Sequence, residues 1–146
     1  MDLASGSNML MFVQVLLAFL LGAVIGLERE FHQSAAGIRT YAAVCLGSCV
    51  FSLMSQHAGP GSDPSRIAAQ IASGVGFLGA GVIFRDGANT SGLTTAATIW
   101  ATAAVGMSVA FHFYLVSVLT TILIVFMLSM TYIPFYRKMK RRKKLK

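Results

Sequence analysis

Apolar positions in this chain come in long, nearly unbroken runs. The first run, Met9 to Leu27, carries only Gln14 as a strongly polar side chain and ends on the polar stretch Glu28 to Gly37. A second, Ile38 to Gln56, is punctuated by Thr40, Ser48, Ser52 and Ser55. "HAGPGSDPSR" then breaks the pattern: Pro60 and Gly61 predict a turn, and Asp63 before Pro64 predicts an N-cap followed by a first helical proline. The third run is Ile67 to Phe84. "RDGANTSG" predicts a loop in which Thr90 or Ser91 caps the next helix. No charge occurs from Leu93 to Ile133. As one helix that stretch would be about 60 Å long, twice the hydrocarbon thickness of a bilayer, so it must fold back. The turn is expected near Ala110 to His112, with His112 an interfacial residue in preference to a proton relay. The pattern predicts an all-α integral membrane bundle of five transmembrane helices, at 9–27, 38–56, 67–84, 93–109 and 113–133.

Composition agrees. The 146 residues are one domain's worth of chain, 55% hydrophobic, with mean hydropathy +0.70 and 12% charged residues. A soluble globule carries about a quarter charged residues. Eight of the twelve basic residues lie between Arg137 and Lys146, so the +7 net charge comes from a terminal run and does not point to nucleic acid. The expected division is a transmembrane domain, 1–136, and a basic cytoplasmic tail, 137–146, lying against anionic lipid at about 1 kcal/mol per basic residue. Tyr132 and Tyr136 supply an aromatic interface belt before it. With the tail inside, Arg29, Arg39 and Arg85 also fall on the inner side and only Arg66 outside. That bias predicts an N-terminus outside and a C-terminus in the cytoplasm. The first basic residue, Arg29, follows the first apolar run, the reverse of a secretory leader.

Short motifs need their context. Gly74-Val75-Gly76-Phe77-Leu78-Gly79 matches G-x-G-x-x-G, but the Ala-rich residues before it lack strand alternation and Thr94 stands where a ribose-binding acid is required. Cys45 and Cys49, four apart on a helix, suit neither a disulfide nor a tetrahedral metal site and read as small packing residues. No catalytic constellation and no cofactor or metal site is predicted, and no carboxylate lies near mid-bilayer. The chain is therefore not expected to be an enzyme.

The glycines have a simpler use. In lipid, helices associate by close approach of small residues. Gly22 and Gly26 form a G-x-x-x-G in the first span. Ala68, Ala72, Gly76 and Ala80 make a ridge on the third, with Gly74 and Gly81 on a neighbouring strip and Gly79 between. Thr94, Thr98, Thr102 and Gly106 repeat at the same interval on the fourth. Those hydroxyls bond across helices or back to their own carbonyls or, with Gln70, line a polar path. Ionisable residues at the membrane edges are the other candidates: Asp63 and Arg66 at the outer end of span three, and Glu28, Glu30, Arg39, Arg85 and Asp86 at the inner face. Glu28 is expected to pair with Arg39 or Arg85.

"GLERE", "AGIRT", "DPSRIAAQIASGVGFLGAGVIFRDG" and "GLTTAATIWATAAVGM" together resemble the MgtC/SapB membrane proteins of bacteria, across roughly Gly22 to Met107. The resemblance implies a multi-pass protein of the bacterial cytoplasmic (inner) membrane tied to low-magnesium growth and, in some pathogens, to survival inside macrophages. It implies a membrane domain only, since the virulence-linked members carry a soluble C-terminal domain. It marks Glu28, Arg29, Arg39, Thr40, Asp63, Arg66, Gln70, Gly76, Gly79, Arg85, Thr94, Thr95 and Trp100 as the characteristic positions. It also suggests, for some members, the F-type ATP synthase as a regulated partner. Two function classes follow: a membrane interaction protein that modulates a partner complex through helix contacts, or a small Mg²⁺ or other cation transporter or channel. A homo-oligomer is expected, for a transporter in particular because five short spans enclose little volume.

Overall fold

The computed structural model describes residues 2–59, 63, 65–87 and 89–130. They form five helices and one small hairpin: α1 (Asp2–Phe31), α2 (Ile38–Gln56), α3 (Ser65–Gly81), β1 (Phe84–Asp86), β2 (Asn89–Ser91), α4 (Leu93–Ala110) and α5 (Tyr114–Ser129). Among the described residues, Ser7–Phe31, Ile38–Gln56 and Leu93–Ala110 are long and apolar enough to cross a membrane, and α5 is a shorter apolar helix. The Pro60-Gly61 turn, Pro64 and the basic tail lie outside the described residues.

Helix ends depart from the apolar runs where polar residues remain helical. α1 continues through Glu28, Arg29 and Glu30 to Phe31, and Gln33 just beyond it takes φ 50°. Gln33 N–H donates to the Glu30 carbonyl and Ser34 N–H to that of Arg29, the paired bonds of a Schellman ending. The α4–α5 reversal is built the same way: His112 takes φ 63°, His112 N–H reaches the Val109 carbonyl and Phe113 N–H that of Ser108. The chain therefore turns back at the expected place without glycine or proline.

Asp63 caps α3, its carboxylate accepting the Ser65 N–H at 2.8 Å. At the far end α3 stops at Gly81, short of Phe84. The stretch read as a loop is instead an antiparallel hairpin pairing Phe84 with Ser91, Arg85 with Thr90 and Asp86 with Asn89. Asp86-Gly87, with Gly87 at φ 56°, supplies the tight-turn signal that the reading of a plain loop passed over. Neither Thr90 nor Ser91 caps α4. Gly92 does so at φ 84°, with its Cα against the Val82 carbonyl, where any side chain would collide.

The core lies where α1, α2 and α4 meet. A Cβ on Gly22 would come within 2.6 Å of Cys45 Cβ and 2.7 Å of the Tyr41 carbonyl, and one on Gly26 within 2.5 Å of Ile38 Cα. Gly106 sits directly on the Cys45 carbonyl. Cys45 and Cys49 are free thiols buried in this seam. α3 joins the bundle mainly along α4, with Gly79 facing Ala96 at 3.6 Å, and α5 closes the other side.

Candidate functional site

The end of the bundle beside the α1–α2 turn holds the buried charges. Glu28 occupies the last turns of α1 with its side chain 8% exposed, and Arg29 follows at 13%. Arg29 Nη1 lies 3.5 Å from Glu28 Oε2. His32, one turn on, places Nδ1 2.7 Å from the Glu28 carbonyl and 3.1 Å from its Oε1. A carbonyl only accepts, so Nδ1 carries the proton and directs it there. Oε1 then has a close neighbour without a hydrogen bond. The expected partners of Glu28 lie elsewhere: Arg39 is exposed on the first turn of α2, beside Glu30 and Thr40, and Arg85 is exposed on the hairpin. Helical i,i+4 spacing supplied the nearer partner. Glu30 serves α2 instead, its Oε2 accepting the Ile38 N–H at 2.9 Å in place of a side-chain cap from Gly37.

Above this cluster Tyr41 is fully buried, and its hydroxyl donates to Thr98 Oγ1 at 2.6 Å. Thr98 in turn donates to the Thr94 and Thr95 carbonyls at 2.9 and 3.0 Å, and Thr102 to the Thr98 carbonyl at 2.7 Å. Ser52 and Thr121 bond back four residues in the same fashion. Thr98 and Thr102 are buried and Thr94 is exposed. Thr98 and Thr102 thus spend their hydroxyl hydrogens on their own helix.

The opposite end has a polar knot that the runs alone did not expose. Gln14, 1% exposed in mid-α1, donates from Nε2 to the carbonyls of Val109 at 2.9 Å and Ala110 at 3.1 Å. Gln56 Nε2 donates to the same Ala110 carbonyl at 3.0 Å. His112 Nδ1 lies 2.9 Å from the Tyr114 hydroxyl. These amides add donors at the last carbonyls of α4, where Val109 also accepts the His112 N–H. A lone Gln in an apolar run was the available signal.

Asp63, Arg66 and Gln70 gather along a cleft of about 660 Å³ between the end of α2 and the start of α3. Hydrogen bonds from Ser65, then the Arg66 charge, hold the Asp63 carboxyl below the usual carboxylate range. A carboxylate of lowered pKa favours the folded cap above its unfolded value near 3.9 and releases that support as pH falls through the folded value. Hydrogen-exchange protection at Ser65 and Arg66 should therefore fade on acidification below about pH 4, and Asp63→Asn should remove that pH dependence.

The proposed packing residues divide. Gly22, Gly26 and Gly79 face neighbouring helices. Ala72, Gly74, Gly76, Ala80 and Gly81 lie on the exposed side of α3, where a Cβ on any of the three glycines meets nothing within 4 Å. Within one chain they pack against no helix, because α2 and α4 approach α3 from its Ile71, Val75 and Gly79 side. Among the described residues no group of three or more His, Cys, Asp or Glu could hold a metal ion.

Several apolar helices, an outward surface of large hydrophobic side chains and polar groups gathered inside define a multi-pass α-helical membrane protein. A profile of the MgtC family matches residues 15–133. The chain belongs to the MgtC family. Protein MgtC of Salmonella typhimurium (strain LT2) is 55% identical over 103 residues, covering 68% of this chain and 44% of that protein. Protein MgtC of Brucella abortus (strain 2308) is 53% identical over 90 residues, covering 62% of this chain and 38% of the relative. The chain thus spans less than half the length of these curated relatives. No solved structure matches it.

Proposed function

We propose that this chain is a protein of the bacterial cytoplasmic membrane, N-terminus outside and C-terminus inside, that serves low-magnesium adaptation by modulating a membrane partner through helix contacts. The observation that carries this reading is the state of the threonine seam. Thr98, Thr102, Ser52 and Thr121 each donate to a carbonyl of their own helix, so these four hydroxyls are already committed to the fold. A cation path needs oxygen ligands turned toward a lumen, and magnesium in particular asks for several oxygens and sheds its water reluctantly. The alternative, a small oligomeric channel for Mg²⁺ or another cation, leans on that same seam, where Thr98 Oγ1 already accepts the Tyr41 hydroxyl and Thr102 is fully buried. A partner such as the F-type ATP synthase, suggested by the family resemblance, would meet the outer helix faces.

Purified chain in liposomes separates the two readings. A modulator passes no Mg²⁺, K⁺ or Na⁺ above empty vesicles. Flux that Thr98→Val abolishes would replace it with the transport reading. Recovery of self-oligomers alone from native membrane would count against a regulated partner.

A further inference from the structure

Glu28 is a carboxylate in an unfavourable place. It sits in the last turns of α1, where the helix macrodipole disfavours an anion, and its side chain is buried. Arg29 reaches it through one atom, Nη1 to Oε2 at 3.5 Å, while Glu28 Oε1 and Arg29 Nε are buried without a hydrogen bond. His32 stands just past the α1 C-terminus, where a cation is favoured, with Nδ1 3.1 Å from Oε1. Its side chain is 30% exposed, so the ring exchanges protons with solvent while the carboxylate beside it is nearly closed off from water. Tyr41 faces the Glu28–Arg29 pair from α2, its hydroxyl turned to Thr98 Oγ1 and the Thr95 carbonyl of α4, groups that carry no charge. Glu30 is directed to the Ile38 N–H with Arg39 beside it, and Arg85 is exposed on the hairpin.

We propose that Glu28 and His32 form a proton-operated latch on the α1–α2 turn. With the ring neutral, Nδ1–H is directed to the Glu28 carbonyl at 2.7 Å and Oε1 receives no hydrogen bond. When the ring takes a proton from solvent at Nε2, Nδ1–H is shared between that carbonyl and Oε1, and a full positive charge faces the uncovered carboxylate oxygen. Glu28 then has a cation at each oxygen. The same proton puts a positive charge at the negative end of α1. Both gains belong to the folded ending, in which Gln33 N–H and Ser34 N–H bond the Glu30 and Arg29 carbonyls. The added stability is therefore complete at low pH and is lost as pH rises through the titration of the ring. The pH sensed is that of the membrane side on which α1 ends, and the latch is independent of the modulator reading.

Hydrogen exchange on the full chain in lipid nanodiscs tests the latch, read as protection factors so that intrinsic exchange rates cancel. From about pH 8 down to about pH 5.5 the segment 31–37 should gain about three- to tenfold in protection, while Thr98 and Thr102 stay level. His32→Gln retains an amide donor for the carbonyl and should hold the segment at its high-pH protection throughout. His32→Lys carries a fixed charge four residues from Glu28 and should hold it near the low-pH level. His57→Gln, whose ring bonds the Leu53 carbonyl at the other end of α2, should follow the wild-type profile. A flat wild-type profile overturns the proposal. So does a gain on acidification that persists in His32→Gln, or one that disappears in His57→Gln. None of these results bears on cation flux, so the two readings fail separately.

Discussion

Gly106→Ala is expected to cost about 3 kcal/mol of stability, the upper end of what forcing an extra methyl into a packed core does. A Cβ at this position would drive into the Cys45 carbonyl, with the Cys45 carbonyl carbon at 2.9 Å and its Cα at 3.2 Å. All three are backbone atoms, so no side-chain rotation relieves the clash. α4 must move off α2, and the same movement pulls Thr98 away from the Tyr41 hydroxyl that it meets at 2.6 Å. Gly26→Ala, aimed at Ile38 Cα, should behave alike. Gly74→Ala supplies the contrast: with open space around it, the change should be neutral or stabilise by up to about 1 kcal/mol through helix propensity. Denaturant titration in mixed micelles measures all three. Equal losses at Gly106 and Gly74 would show that helix propensity, and not close approach, governs these sites.

The helices were legible in the sequence because an apolar run must be long enough to cross hydrocarbon, and length survives without any knowledge of neighbours. What faces what was not. Gly22 and Gly26 on α1 and Gly74 and Gly76 on α3 look alike as small-residue patterns, yet the first pair meets α2 while the second meets open space. The difference lies in which helix stands opposite, and spacing along one helix does not carry that. Charge behaved similarly. Glu28 looked toward the distant Arg39 and Arg85, whereas the contact it makes is local, with His32 one turn away. Tyr41 and Thr98 are 57 positions apart, beyond any local rule. The α4–α5 turn was placed by length alone, and its cause, His112 in the left-handed region, is a conformation uncommon outside glycine that stands here among tertiary contacts at the α4 ending.

Those contacts make Gln14 the second position of large effect. Gln14→Leu keeps the apolar volume and removes both amide hydrogens, leaving the Val109 carbonyl without its side-chain donor and the Ala110 carbonyl with Gln56 alone. Each carbonyl keeps one donor, His112 N–H at Val109 and Gln56 at Ala110, so the change removes two hydrogen bonds worth about 0.5–1.5 kcal/mol each. The expected loss is about 1–3 kcal/mol. It should fall on one place: the α4 ending opens, and hydrogen-exchange protection drops at Phe111, His112 and Phe113 before it drops at Thr98 or Thr102. Gln14→Leu with Gln56→Leu should be worse than the sum of the two single changes, because each amide partly covers for the other at Ala110. Strict additivity would mean that the two side chains act apart, and an unchanged turn in Gln14→Leu would mean that His112 and Tyr114 hold the reversal by themselves.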